Sequence, residues 1–365
     1  MMNAPLISVV MAVYNGGRFL AESVDSILGQ SFGDFEFLII DDGSTDETPD
    51  TLGRYQQLDA RVVVYRQANQ GQVPSLNTGC RMARGRYIAR IDADDVAMPE
   101  RFARQVEYLE EHPEVALLGS SITNIDVAGR PLGTWPLPTD DREIRERLFG
   151  LGEIPFCHVT LMFRSEVVRA LNGYRTAFAP AEDYDLWLRI AERSQLANLP
   201  EPLVNVRRRA HSLSFTNARQ QVISRLVARE ASAIRRQGGR DPVDQQEPVS
   251  REQLRSLGVG DAIFEQQLMG IYQYWIEVML RSGDNDGALR MMRHALESEP
   301  WRHVSRSVVA NLWLAAARLY SEQGRYLQSA ACTARALAVR PVIAGRPIKR
   351  IASQLGILNN GAARA

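Results

Sequence analysis

From Leu6 to Glu111 the chain alternates short apolar runs with stretches of helical period, and no other feature restricts its fold as much. Leu6 to Tyr14 reads as a strand, Phe19 to Leu28 as a helix, Phe35 to Ile40 as a strand, and a helix follows Thr48. The pattern continues with a strand at Val62 to Tyr65, a helix at Pro74 to Ala83, a strand at Arg86 to Ile91 and a helix at Pro99 to Glu111, with proline near its first turn. Strands that alternate with helices predict an α/β fold with a mainly parallel central sheet, which collects ligands at the carboxyl ends of its strands. Two acidic clusters, Asp41-Asp42 and Asp92-Ala93-Asp94-Asp95, fall at such ends.

The chain has 365 residues, too many for one small core, so two domains are expected. Its 43 basic and 43 acidic residues balance, which argues against nucleic acid as a partner. Lys349 is the only lysine among the basic residues, so arginine-rich runs carry little weight by themselves. Cys80, Cys157 and Cys332 lie far apart and suggest neither a disulfide framework nor a zinc site. With no basic leader and no apolar stretch of the roughly 20 residues a spanning helix needs, a cytoplasmic location is expected, with peripheral association at the inner membrane as the limit.

Past Val115 the alternation loosens, leaving strands at Ala116 to Gly119, Val159 to Phe163 and Leu203 to Val206 and a helix starting near Asp183. Gly238-Gly239, Pro242 and Pro248 give residues 235–250 the composition of a linker. The expected division is therefore 1–234, a linker at 235–250, and a helical C-terminal domain at 251–365. Within that tail Gly283 and Gly324, Ala295 and Ala336, and Pro300 and Pro341 share an offset of 41 residues. Stacked repeats and two plain helical hairpins both accommodate it. Trp275, Trp301 and Trp313 follow helical apolar periodicity and are expected in its core. Arg346 to Leu358 mixes basic and apolar residues and is read as a partner-packing or a membrane-surface helix.

The acidic clusters carry the chemistry. Asp42 ends a buried strand beside a glycine turn, where a rigid acceptor could bind a nucleoside, while Ser44 or Asp46 is placed to cap the next helix. Asp92, Asp94 and Asp95 put three carboxylates within four residues, an arrangement that a hard divalent cation would neutralise. Glu182, Asp183 and Asp185 open a helix. They suit its dipole, and Asp183 equally suits a general base.

Together these segments resemble the inverting family 2 glycosyltransferases, whose nucleotide-sugar-binding fold is called GT-A. The resemblance is carried by Ile7 to Asn15, Ile40-Asp41-Asp42-Gly43-Ser44, Asn77-Thr78-Gly79 with Ala83-Arg84-Gly85, Asp92-Ala93-Asp94, and Gly173-Tyr174-Arg175 followed by Glu182 to Trp187. It covers roughly residues 5 to 215, and the tail resembles tetratricopeptide repeats only faintly. The resemblance implies that Asp42, with Ala12 and Tyr14, contacts the donor's base, that Asp92 contacts its ribose or sugar, and that Asp94 holds Mn2+ or Mg2+. Asp183 becomes the base in a single displacement. Arg208 and His211 match an R-x-x-H region in which the arginine faces the diphosphate and the histidine reaches the metal. His158 is left as a structural histidine. The partners implied are a nucleoside diphosphate sugar, UDP favoured, and a glycan or lipid-linked acceptor of bacterial polysaccharide biosynthesis. The rival is a non-catalytic scaffold that senses nucleotide sugars and binds a partner through its tail.

Overall fold

In the computed structural model, the described residues are 4–150, 154–208, 217–244, 247–298 and 300–341. They belong to two compact units, Met1–Arg209 with Ile223–Leu257, and Ala210–Val222 with Gly258–Ala365.

The first unit is built on one twisted sheet in the order β3-β2-β1-β4-β8-β6-β9-β5, with β7 on β6. The strands are β1 (Ile7–Val13), β2 (Phe35–Asp41), β3 (Val62–Arg66), β4 (Tyr87–Arg90), β5 (Val96–Ala97), β6 (Val115–Ile125), β7 (Pro131–Trp135), β8 (Met162–Arg164) and β9 (Gln195–Arg207). β1 pairs in parallel with both β2 and β4, and β2 in parallel with β3. β8 runs antiparallel to both β4 and β6, so β6 and its parallel partner β9 point the same way as β1. The sheet is mainly parallel, as expected. Chain order reverses between β1 and β4, and such a switch point opens a crevice at the strands' carboxyl ends.

Both faces of β1 are buried, which is why it reads as an unbroken apolar run. Helices α1 (Leu20–Leu28), α2 (Thr48–Leu58), α3 (Gln72–Met82) and α4 (Arg101–Glu111) follow the predicted order to within two residues, and α5 (Asp141–Phe149), α6 (Ser165–Ala170) and α7 (Glu182–Ala191) come after them. Gly79 sets the approach of α3 to the sheet: a Cβ there would lie 2.4 Å from a Val10 methyl. Asn77, two residues earlier, clamps Tyr174 through its backbone, donating to the carbonyl and accepting from the N–H, both at 2.8 Å.

At the amino end of the strands Glu36 is buried and fully engaged. It accepts from Ser8 Oγ at 2.6 Å, from the Arg84 N–H at 2.9 Å and from the Arg84 guanidinium at 2.7 Å. Burial alone would raise its pKa, but the Ser8 hydroxyl and the Arg84 groups outweigh that and hold the carboxyl below its ordinary value. Its contribution to stability is therefore complete above the unfolded carboxylate range and lost as pH falls through the lower folded value. Glu36→Ala strands Ser8 and two N–H groups. It is expected to cost roughly 2–3 kcal/mol in a denaturant melt at pH 7 and less near pH 3.

Several elements differ from the expectation. The strand expected at Leu203 is the end of β9, which starts at Gln195 and runs through Pro200 and Pro202 where its register against β6 shifts. Only part of Val159 to Phe163 is strand, because His158–Thr160 forms a 3-10 turn. The segment expected as a linker lies on the first unit. Asp241 bridges Arg175 at 2.8 Å and Arg235 at 2.6 Å, Val243 and Val249 are buried, and the Val249 N–H donates to the Ala177 carbonyl. Composition suggested a free tether; two valines and a shared carboxylate pin it. Residues 251–257 also group with the first unit.

The second unit contains helices Asp261–Arg281, Asn285–Ser298, Arg306–Glu322 and Tyr326–Val339. The 41-residue offset has a structural counterpart. Gly283 and Gly324 have φ of 77° and 73°, and each is followed by a residue whose N–H closes the preceding helix, Asp284 on Met279 and Arg325 on Tyr320. Ala295 and Ala336 are fully buried, as are the three tryptophans almost completely. Among the described residues no helix is long and apolar enough to cross a membrane. Residues 346–358, read as an amphipathic helix, lie outside the described residues.

Candidate active site

The carboxyl end of β1 carries Ala12 and the exposed Tyr14, and Asp42 follows β2 alongside them, its N–H donating to the Val13 carbonyl at 2.8 Å. The Asp42 carboxylate is itself occupied. It accepts from Gln67 Nε2 at 2.9 Å and from the N–H groups of Gln70 and Gly71 at 3.0 and 2.8 Å, so it shapes the loop after β3. Gly43, with φ of 78°, lets this turn pass the same loop: a Cβ there would stand 2.9 Å from the Asn69 nitrogen. Asp41 is buried too, accepting from the Ser44 N–H and lying 3.4 Å from the Arg66 guanidinium.

Beyond β4 the chain turns so that carboxylate oxygens of Asp92, Asp94 and Asp95 lie within 4.8 Å of one another. The turn is held from two sides. Ser23 donates to the Asp92 carbonyl at 2.7 Å, and Arg207 at the end of β9 donates its N–H to Asp95 and its side chain to the Asp94 carbonyl and the Glu22 carboxylate. Burial raises the Asp95 carboxyl well above its ordinary pKa, and the charges of Asp94 and Asp92 add to the effect. Three crowded hard oxygen donors, one buried, suit Mg2+ or Mn2+ and would not suit a soft metal. The sequence put all three acids together, with Asp94 as the leading ligand; the burial of Asp95 beside the Arg207 N–H is what the structure adds.

Asp183 lies in the first turn of α7 (Glu182–Ala191) and accepts from the Tyr184 N–H at 2.7 Å. That turn is fixed by the fully buried Asp185, which is paired with Arg175 and, at 2.9 Å, with Arg189. Burial raises the pKa of Asp183, restrained by the Tyr184 N–H and by the charges of Arg225 and Arg90. Burial and the Asp183 charge raise Glu182 as well, so the two neighbouring carboxyls resist being ionised together. A buried carboxyl whose pKa is raised toward neutrality suits general-base work.

Arg208 donates to Asn124 Oδ1 at 2.7 Å, and its charge reaches both Asp95 and Cys157. The structure thus brings Arg208 to the acidic turn, while His211 lies outside the described residues. His158 is partly buried and hydrogen-bonded, in keeping with a structural histidine. Its Nε2 is 2.9 Å from the Tyr174 hydroxyl, and burial together with the Arg90 charge keeps the ring neutral.

A family model, Glycosyl transferase family 2, matches residues 8–171. EpsE of Bacillus subtilis (strain 168) is 36% identical over 230 residues, covering 60% of this chain and 81% of that protein. The amylovoran biosynthesis glycosyltransferase AmsE of Erwinia amylovora is 32% identical over 206 residues, covering 55% and 76%. The chain belongs to glycosyl transferase family 2. It is accordingly a glycosyltransferase, and its fold is the GT-A arrangement. S. aureus TarS 1–349, solved in complex with UDP-GlcNAc, shares that fold, with a TM-score of 0.52 at 15% identity over 90% of each chain.

Proposed function

We propose that this glycosyltransferase moves a sugar from a nucleoside diphosphate donor to a hydroxyl of a glycan or lipid-linked glycan, with inversion at the anomeric carbon. The observation that carries the reading is the separation of its acids into two groups: a crowded trio after β4, and the buried pair Glu182 and Asp183 in the first turn of α7. Sensing a donor would not require the second. Polymer synthesis as the setting is supported by the names of AmsE and of WbnJ, an O-antigen biosynthesis glycosyltransferase of Escherichia coli 35% identical over 207 residues. A UDP donor is supported by the TarS complex.

In this reading Asp94, with Asp92 and Asp95, holds Mn2+ or Mg2+, which when bound offsets the charge of the departing diphosphate. Asp42, Ala12 and Tyr14 line the base, and Arg208 faces the phosphates. Asp183 takes the proton from the acceptor hydroxyl as that oxygen bonds to the anomeric carbon. The bond from that carbon to the diphosphate oxygen breaks, and the nucleoside diphosphate leaves with the electron pair. No second acid is required, because a diphosphate leaves without protonation, unlike a sugar alkoxide. Catalysis belongs to the first unit, and the helical unit is assigned to acceptor or partner binding.

Thermal melts with UDP, GDP, dTDP and CDP, each with manganese or with chelator, test the donor half without an acceptor. One nucleotide at about 100 times its Kd should stabilise the protein by about 2.7 kcal/mol, and only with metal. If none shifts the melt, the donor assignment is wrong.

A further inference from the structure

Helix α7, which carries Asp183, is gripped at both ends by one chain of ion pairs. At its first turn the fully buried Asp185 accepts from the Arg175 guanidinium, from Nε at 3.0 Å and again from Nη2. At the other end Glu192, the residue that closes the helix, accepts from Arg235 at 2.6 and 2.9 Å and from Ser232 Oγ at 2.7 Å. Asp241 joins the two. Its Oδ2 accepts from Arg175 Nη1 at 2.8 Å and from Arg235 Nη1 at 2.6 Å. The contacts Asp185–Arg175–Asp241–Arg235–Glu192 therefore run the length of a helix of about 15 Å.

The same stretch holds the turn that leads into α7. Arg175 Nη1 also donates to the Val243 carbonyl at 3.0 Å, and the Val249 N–H donates to the Ala177 carbonyl at 2.9 Å. Ser224, on the helix Ala218–Arg236, donates to the Ala179 carbonyl at 3.3 Å. Asp241 is itself oriented, its Oδ1 accepting from the Val243 N–H at 2.9 Å. Attaching these residues to the first unit needs no acid, because the buried Val243 and Val249 do so through apolar contact. What Asp241 adds is a fixed separation between two guanidinium groups. A hydrogen-bonded ionic network shielded from water specifies one arrangement, whereas apolar contact is non-directional.

We propose that Asp241 is a positioning residue of the transfer reaction: by tying Arg175 to Arg235 it sets the first turn of α7, and with it the Asp183 carboxylate. The proposal rests on the assignment of Asp183 as base. Asp241 lies past residue 171, where the family match ends, in a stretch of linker composition. Displacing the Asp183 carboxylate by about 1 Å would lower the rate about 100-fold, while the turns after β2 and β4 would still bind the donor.

The test measures kcat, donor KM and the nucleotide-dependent thermal shift for Asp241→Ala, Asp241→Asn and Asp241→Glu beside wild type, Glu36→Ala and Asp183→Asn. Ala and Asn should lower kcat on the order of 10- to 100-fold and leave donor KM and the thermal shift as in wild type. Asn keeps an oxygen for the Val243 N–H and loses only the charge, so it decides the matter if Ala does not fold. Glu should recover a large part of kcat, because it returns a carboxylate to the two guanidinium groups. Glu36→Ala is the comparison for lost stability: it loosens the amino end of the same sheet and should keep its kcat. Wild-type kcat in folded Asp241→Asn, a donor KM that rises as kcat falls, or an equal loss of kcat in Glu36→Ala each overturns the inference. Turnover surviving in Asp183→Asn instead overturns the base assignment beneath it.

Discussion

Asp183→Asn should lose kcat by about 10³-fold, within the range general-base removal produces, while the nucleotide-dependent thermal shift is unchanged. The two readouts separate because Asp183 lies on α7, a different element from the turns that hold Asp42 and Asp94. In the wild type the base works ionised. Its pKa is pushed up to about 6, so kcat should fall as pH drops through about 6, where an ordinary aspartate would stay active to about 4. The stability sign is opposite to that of Glu36. A carboxyl raised on folding weakens the fold at pH values where it is ionised, and Asp183 also repels its neighbour Glu182. The variant should thus melt no lower than wild type at pH 7.5. An inactive protein that melts well below wild type would mean that Asp183 holds the fold together instead.

The second large effect is expected at the acidic turn. Chelator should abolish turnover, and Asp94→Asn should lower kcat/KM on the order of 10³-fold, equivalent to several kcal/mol of charge stabilisation at the leaving diphosphate. A manganese titration should show a weaker half-saturation in the variant, because one of three oxygen ligands has lost its charge. Asp94 is the cleaner position to change. Asp95 also accepts the Arg207 N–H, so its replacement would loosen the β9 junction as well as the ligand set. Full activity of either the chelated enzyme or Asp94→Asn would remove the metal from the mechanism.

Much of the catalytic half was legible because its information is local. Apolar runs such as Ile7 to Val13 and Phe35 to Ile40 declare buried parallel strands, and Asp42 and Asp92 stand where those strands end. The glycines of the turn and of α3 follow from close approaches that admit no Cβ, at Gly43 and Gly79. The 41-residue spacing in the tail likewise marked two equivalent helix ends before their left-handed glycines were seen.

What remained hidden depends on residues far apart in the chain. β9, with Pro200 and Pro202 in it, lacks a strand's own signature and is held by β6. The residues expected to link the units carry linker composition, and only the Arg175–Asp241–Arg235 bridge and two buried valines attach them to the first unit. Asp95 stood among three adjacent acids, and its burial beside the Arg207 N–H at the end of β9 is not written locally. Residue types and their order along the strands determined the fold class and the carboxylates available. Burial and long-range pairing decided which carboxylates crowd together and which are buried, because charge in a low-dielectric interior is set by neighbours in space rather than in sequence.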